Sequence, residues 1–132
     1  METDKPMDIT FKREIYGFEN IKEYTLTKAS ESADNPFRFL KASDGNVCFI
    51  LLDPKMIDRS YDPVLDDKEM KSLELKDPAD MRIYGIVVIP NDIKMMTINL
   101  RSPIIINIEN GNAIQLILED DRYSIRHRIL GC

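Results

Sequence analysis

Histidine and cysteine are scarce in this 132-residue sequence, which removes most catalytic and metal-binding chemistry. His127 is the single histidine, and zinc sites need clustered Cys and His ligands. A thiol–imidazole pair of His127 with Cys48 or Cys132 is the one catalytic alternative. Cys48 falls in the apolar run 47–52, where we expect a small core residue, and Cys132 is terminal. We therefore predict reduced thiols, no cofactor, no metal and no enzyme activity.

Glycine is also sparse, with five residues in the chain. The sequence contains neither a P-loop nor a Gly-x-Gly-x-x-Gly pattern, so it shows no nucleotide site. Asp62, Asp66 and Asp67 are close together, but they lack the spacing and the terminal Glu of a calcium loop. We interpret them as a solvated acidic segment.

Positive charge is in deficit, since 18 Lys and Arg face 23 Asp and Glu for a net charge of -5. This balance disfavours direct nucleic-acid binding and favours an encounter with a basic protein surface. Arg122, Arg126 and Arg128 lie beside acidic residues 119–121, a pattern typical of a self-paired surface.

No stretch approaches the roughly 18 apolar residues of a membrane helix, and residues 1–13 lack a signal-peptide core. We predict a cytoplasmic protein without membrane contact.

The composition that is present suits a globular fold, with 43% hydrophobic and 31% charged residues. We expect a single domain over residues 1–132. In the first half, an Asp-Gly pair at 44–45 between two apolar runs predicts a hairpin. The strands predicted there are residues 9–11, 24–27, 37–40 and 47–52.

The second half predicts one short helix followed by more strands. Asp53-Pro54 ends a strand, and residues 66–73 have helical character, with Asp66 or Asp67 as the cap. Met70 and Leu73 must pack on the sheet if so short a helix is to persist. Asn110-Gly111 predicts a second hairpin. The later strands are residues 81–89, 96–100, 104–108 and 113–118.

Eight or nine short strands, one short helix and frequent turns predict an all-β, mainly antiparallel fold. We expect a small β-barrel-like single domain, closed or nearly closed, with a sandwich as the alternative.

Residues 96–107 read MTINLRSPIIIN and resemble the hallmark of the FliW family of flagellar assembly factors. That hallmark is Met-Thr-x-Asn-Leu, two variable residues, Pro-Ile and a later Asn. QLIL at 115–118, YSIRH at 123–127, GFE at 17–19 and DP at 53–54 continue the resemblance. The family often has Pro-Glu-Gly and another Pro ahead of Gly-Phe-Glu, where this chain has KREIY. The turn before Gly17 is therefore expected to differ in shape.

The resemblance implies a β-barrel-like domain that binds newly made flagellin in the cytoplasm. When free of flagellin, such a domain binds the RNA-binding translational repressor CsrA and relieves repression of flagellin translation. The resemblance thus predicts two exclusive protein partners and no chemical reaction.

Five residues are the candidate partner-binding set. Asn99, Pro103 and Asn107 define the family motif, although each has a structural alternative: Asn side chains satisfy sheet-edge backbone groups, and proline ends strand pairing. Tyr123 and Arg126 are of the types that dominate binding hot spots, although Tyr123 also suits packing on the barrel end.

An RNA-binding barrel similar in outline to an OB-fold is the competing interpretation, and it needs exposed aromatic and basic residues on one sheet face. Phe37, Arg38 and Phe39 are the nearest approach, but strand alternation places both rings opposite Arg38. We expect the two phenylalanines to be core residues instead.

Overall fold

Nine short strands, one α-helix and three single-turn 3-10 helices, at Pro54–Met56, Pro78–Asp80 and Ile93–Met95, form the regular structure in a computed structural model that describes residues 5–32 and 34–130. The helix α1 spans Asp67–Leu73, between the fourth and fifth strands. The strands are β1 Met7–Arg13, β2 Glu23–Lys28, β3 Arg38–Ala42, β4 Cys48–Leu52, β5 Met81–Val88, β6 Thr97–Ile98, β7 Ile104–Asn107, β8 Asn112–Gln115 and β9 His127–Arg128.

Seven of the strands close into a barrel, which confirms the predicted fold class. Their order is β4-β3-β2-β1-β8-β7-β5, and β5 pairs back onto β4 from Ile50↔Val87 to Leu52↔Gly85. The pairing of β1 with β8 is parallel, whereas the other pairings are antiparallel. We call the end of the barrel at Arg13, Ala42 and Gln115 the upper end, and the opposite end the lower end. Strands β6 and β9 continue the sheet from the upper part of β5.

Glycines with positive φ make both predicted hairpin turns. Gly45 and Gly111 each have φ +81°, a conformation that costs little without a Cβ. Gly111 also lies against β1, because its carbonyl accepts a hydrogen bond from Thr10 N at 2.9 Å. A Cβ at Gly111 would overlap the backbone oxygen of Asp8, while a Cβ at Gly45 would meet open space. The second hairpin therefore also joins the parallel β1–β8 pair.

The alternation of side chains along the strands separates an inner core from two outer clusters. The barrel core fills the interior and includes Ile9, Phe11, Tyr24, Leu26, Leu40, Leu51, Tyr84, Ile104 and Ile106. The outer cluster lies outside the barrel interior, around β6, and contains Leu52, Tyr61, Val87, Met96, Ile98, Leu100 and Tyr123. The helix cluster places Leu73 of α1 on Ile105, Ile114 and Leu116.

The short helix begins with a capping box. Asp66 Oδ1 accepts from Glu69 N and Glu69 Oε1 accepts from Asp66 N, both at 2.8 Å, so Asp66 is the cap and Asp67 the first helical residue. Leu73 is fully buried as predicted, whereas Met70 is 37% exposed, so one side chain provides most of the docking. Within residues 5–32 and 34–130, no helix is long and apolar enough to cross a membrane.

Several predictions made from local pattern were wrong in detail. Residues 116–118 are not a strand, although Leu116 N and Leu118 N donate to Pro103 O and Arg101 O. Strand β9 was not predicted, because two residues carry no periodic signal. Cys48 was predicted to be a core residue but is exposed. It is the first residue of β4 and faces outward, where the outer cluster covers Leu52 but not Cys48.

Candidate functional site

Two neighbouring cavities open at the upper end of the barrel. The first, the end groove, holds about 380 Å³. Its lining is mostly apolar: Ile15, Tyr16, Phe18, Phe49, Ile86, Asn99, Arg101, Ser102, Gln115, Ile117 and Ile125. The second, the rim cavity, holds about 500 Å³ between Arg101, Asp121, Tyr123, Ser124, Ile125 and Arg126. Arg101 and Ile125 belong to both, so the cavities form one continuous surface.

Exposed apolar side chains surround the end groove. Tyr16 is 77% exposed, Ile117 62% and Ile125 56%, although each lines the groove. Large apolar groups that converge on one concavity are typical of a protein-binding site, whereas scattered ones need no explanation. The arrangement suits an apolar segment of another protein.

Asn99 shapes one wall of the groove through a side-chain turn. Its Oδ1 accepts from Arg101 N and Ser102 N, both at 3.0 Å, so the chain reverses immediately after β6. Asn99 N donates to Ile86 O at 2.9 Å, which fixes this turn to β5. Pro103 follows and is buried, with its carbonyl bonded to Leu116 N. The family motif therefore builds the wall that presents Arg101.

Gln115 holds two loops of the end groove together, a role that was not predicted from the sequence. Its Oε1 accepts from Tyr16 N at 2.7 Å and its Nε2 donates to Ser102 O at 3.1 Å. One buried amide thus connects the loop after β1 with the Asn99 turn. The sequence did contain one indication of this role, a polar residue at an inward-facing position of an otherwise apolar strand. A buried amide at such a position is expected to be hydrogen-bonded.

Tyr123 anchors the C-terminal segment that borders the rim cavity. Its ring is 8% exposed and packs edge-on against Tyr61, with centroids 4.7 Å apart. The Tyr61 hydroxyl donates to Leu100 O at 2.5 Å, and burial raises the pKa of Tyr61 well above its usual value. The guanidinium carbon of Arg122 lies over the Tyr123 ring, 5.4 Å from its centroid. Tyr123 therefore positions the exposed Arg126 beside the cavity.

Charged groups along the rim are paired locally. Arg122 Nη2 lies 2.6 Å from Asp120 Oδ2, and the hydrogen bonds that Arg122 donates lower the pKa of the Asp120 carboxyl. Arg101 Nη2 lies 3.0 Å from Asp121 Oδ1. Arg126 is exposed, and its backbone amide donates to Ser124 Oγ.

Asn107 lies at the lower end of the barrel, away from both cavities. Its Nδ2 donates to Leu73 O at 2.9 Å and Glu74 O at 3.3 Å, and its Oδ1 accepts from Glu109 N. Asn110 and Asn112 also donate to Leu73 O, so three amides cap the C-terminus of α1. Of the five predicted residues, Asn99, Tyr123 and Arg126 come together, Pro103 is buried behind them, and Asn107 holds the helix.

The alternative chemistries gain no support from the geometry. His127 pairs with Ile98, Ile98 with Val87 and Val87 with Ile50, which places His127 and Cys48 three strands apart, or roughly 14 Å along the sheet. Cys132 lies outside the described residues. Within the part of the chain that the structure describes, no three His, Cys, Asp or Glu residues are grouped for a metal ion.

The aromatic pair considered for RNA binding is half-buried. Phe37 packs against the outer cluster, and Phe39 is also partly covered. Phe39 belongs to the outward face of β3, opposite Leu40 of the barrel core, and Phe37 lies just before the strand. The prediction that both are core residues was therefore wrong, because each ring is only partly buried.

Comparison with known proteins agrees with the motif and the fold. A family model described as FliW protein matches residues 1–129. The chain belongs to the FliW family. A flagellar assembly factor FliW from Ruminiclostridium cellulolyticum is 38% identical over 123 residues, which cover 92% of this chain and 82% of that protein. One from Clostridioides difficile is 36% identical over 124 residues, covering 94% and 95%.

A solved structure supports the assignment. The crystal structure of the flagellar assembly factor FliW superposes on this FliW-family chain with a TM-score of 0.84 and 26% sequence identity. The match covers 95% of this chain and 86% of that one. A solved FliW thus has the same fold as this chain.

Proposed function

We propose that this flagellar assembly factor is a cytoplasmic, non-catalytic regulator that binds flagellin and, when free, sequesters a CsrA-type RNA-binding translational repressor. Sequestration relieves the repression of flagellin translation. The observation that carries the proposal is the apolar end groove beside the family motif, in a chain whose family is that of flagellar assembly factors. The proposed partners are proteins, and neither nucleic acid nor a membrane is contacted directly.

The end groove supports capture of an apolar protein segment. Tyr16, Ile117 and Ile125 present apolar surface around a concavity of about 380 Å³, and an amphipathic helix places its apolar face in such a groove. The terminal segments of a flagellin monomer are the proposed occupant. Burial of these side chains on binding supplies affinity in proportion to the apolar area covered.

The charge of the chain supports an acidic contact with the repressor. A net charge of -5 accelerates encounter with a basic RNA-binding surface. If the two complexes exclude each other, mass action on flagellin alone sets the amount of chain available to the repressor. No bond needs to be made or broken for this switch.

The five predicted residues take different parts in the proposed interface. Arg126 is exposed and contacts a partner directly, while Asn99 and Pro103 shape the groove wall. Tyr123 holds the C-terminal segment through its stack on Tyr61. Asn107 acts at a distance, by fixing α1 at the lower end.

A competition titration tests the proposal. The purified chain is first saturated with the organism's CsrA and then challenged with flagellin monomer, while the CsrA complex is followed by fluorescence anisotropy. We expect the CsrA complex to disappear as flagellin rises. Failure to bind either protein would contradict the proposal, and simultaneous binding of both would contradict the switch.

A matched pair of variants tests the groove. Ile117→Asp places a carboxylate in the apolar groove, and about a tenfold loss of flagellin affinity is expected. Val64→Asp is the control, because Val64 is 82% exposed and does not line the groove. Equal affinities of the two variants would show that flagellin binds elsewhere.

A further inference from the structure

We propose that Arg101 recognises a carboxylate on the protein segment that occupies the end groove, and that Asp121 holds Arg101 until that segment arrives. The inference rests on the proposed function, which it deepens by stating the chemistry of the bound segment. That segment carries apolar side chains and one Asp or Glu among them.

The hydrogen bonds of Arg101 are incomplete. Its Nη2 donates to Asp121 Oδ1 at 3.0 Å and, at 3.4 Å, to Asp120 O. Its Nε is buried and has no hydrogen-bond acceptor among the residues that the structure describes. A buried N–H without an acceptor carries a desolvation penalty, which an incoming acceptor removes.

Because Nε is buried, a carboxylate reaches it only as the surrounding side chains move when the segment binds, and it then satisfies both nitrogens. Arginine pairs with carboxylates through two parallel N–H···O bonds, and Nε with Nη2 forms one edge suited to this. Asp121 accepts from Nη2 alone, so it occupies half of that edge. A ligand carboxylate therefore gains a contact that Asp121 does not make.

Asp121 is displaced at little cost. Its side chain is fully exposed, whereas that of Arg101 is 31% exposed, so the aspartate returns to water when it is released. Asp120 is held differently, because Arg122 bonds both of its oxygens at 2.6 to 3.1 Å. Exposed ion pairs contribute little stability, so exchange of Asp121 for a better-placed carboxylate is favourable.

The position of Arg101 defines the rest of the segment. Arg101 lies where the apolar end groove meets the rim cavity, with Ile117 on one side and Arg126 on the other. A segment that fills the groove brings its next side chain to Arg101. A carboxylate there meets two cations, whereas a Lys or Arg would be repelled.

Synthetic peptides test the inference directly. The probes are amphipathic helical peptides, blocked at both ends, that carry one Glu at successive positions beside the apolar stripe, each with a Gln twin. Binding is followed by NMR, including the Arg101 Nε–H resonance. We expect the best Glu peptide to bind about tenfold more tightly than its twin and to shift that resonance. Equal binding of all twins, an unmoved Arg101 resonance, or no shift in the groove would each overturn the inference.

Variants separate the roles of Arg101 and Asp121. Asp121→Asn should tighten binding of the Glu peptide about threefold and leave its Gln twin unchanged. Glu119→Gln, an equal charge change at an exposed neighbour, is the control. Arg101→Lys keeps the charge but removes the two-bond edge, so the preference for Glu should fall from about tenfold to about threefold, the part that charge alone supplies. Arg59→Lys is its exposed control. A Glu preference that stays at about tenfold in Arg101→Lys would contradict the assignment.

Titration with whole flagellin and CsrA separates this inference from the proposed function. If both proteins bind the wild type and the Arg101→Lys variant equally, the inference fails and the proposed function stands. If the Glu preference depends on Arg101 but neither protein binds, the carboxylate site stands and the proposed function fails.

Discussion

Replacement of Gly111 by alanine tests how the barrel closes, and Gly45 provides a control with the same backbone conformation. Both residues have φ +81°, so alanine is strained equally at the two positions. Positive φ costs a residue with a Cβ about 1 to 2 kcal/mol. Alanine also lowers the conformational entropy of the unfolded chain, which offsets up to about 1 kcal/mol of that cost. We therefore expect Gly45→Ala to lower the free energy of unfolding by about 1 kcal/mol.

The cost at Gly111 is larger because its turn lies against β1. The added Cβ would overlap Asp8 O, so β1 and the turn must separate. Separation weakens the bond from Thr10 N to Gly111 O at 2.9 Å, next to the parallel β1–β8 pair. A lost hydrogen bond of about 1 kcal/mol and the displaced strand bring the expected loss to about 3 kcal/mol or more.

Urea unfolding followed by circular dichroism measures both variants. An unchanged slope with a lower midpoint identifies a stability effect in the native state. If Gly111→Ala and Gly45→Ala differ by less than about 0.5 kcal/mol, the close approach of the turn to β1 does not contribute to barrel closure, and our reasoning is refuted.

Three further perturbations have defined outcomes. Asn107→Ala should cost about 2 to 3 kcal/mol in urea unfolding, because it removes three hydrogen bonds of a buried amide, those to Leu73 O and Glu74 O and the one from Glu109 N; Asn110→Ala, an exposed control, should cost about 1 kcal/mol or less. The pKa of Tyr61 is raised, so its contribution to stability is complete below about pH 10 and is lost above it; alkaline unfolding should shift upward in Tyr61→Phe. Asp66→Ala should cost about 1 kcal/mol and Asp67→Ala less, by thermal unfolding, since only the first removes the N-cap bond.

Local sequence patterns were sufficient for the hairpins and the helix. Asp44-Gly45 and Asn110-Gly111 predicted two turns that the structure contains, because positive φ is a property of the turn itself. The sequence restricted the helix cap to Asp66 or Asp67, and the structure shows that it is Asp66.

Long-range pairing was beyond the sequence. The parallel contact of Phe11 with Ala113 joins strands about a hundred residues apart, and no local pattern encodes that choice. The exposure of Cys48 had the same origin, since an outward residue of a barrel is buried only where another segment covers it. The Leu73 contact was predictable from helix periodicity, but the exposure of Met70 was not.

The candidate site was predicted in part. The motif around Asn99 indicated the region of the end groove, and Tyr123 and Arg126 line the neighbouring rim cavity. Arg101 and Gln115 were missed because their importance comes from contacts with Asp121 and Tyr16, which are distant in sequence. Asn107 belongs to the same motif but bonds the C-terminal end of α1 at the lower end of the barrel. Membership of the motif therefore did not show that a residue lies at the candidate site.

Amide hydrogen exchange of the chain, with and without saturating flagellin monomer, tests the central claim that the upper end of the barrel is the partner-binding surface. We predict slower exchange in residues 99–102 and 115–126, and unchanged exchange in α1 and the 107–112 turn at the lower end. Protection confined to α1 and that turn, with no change around Asn99, would contradict it.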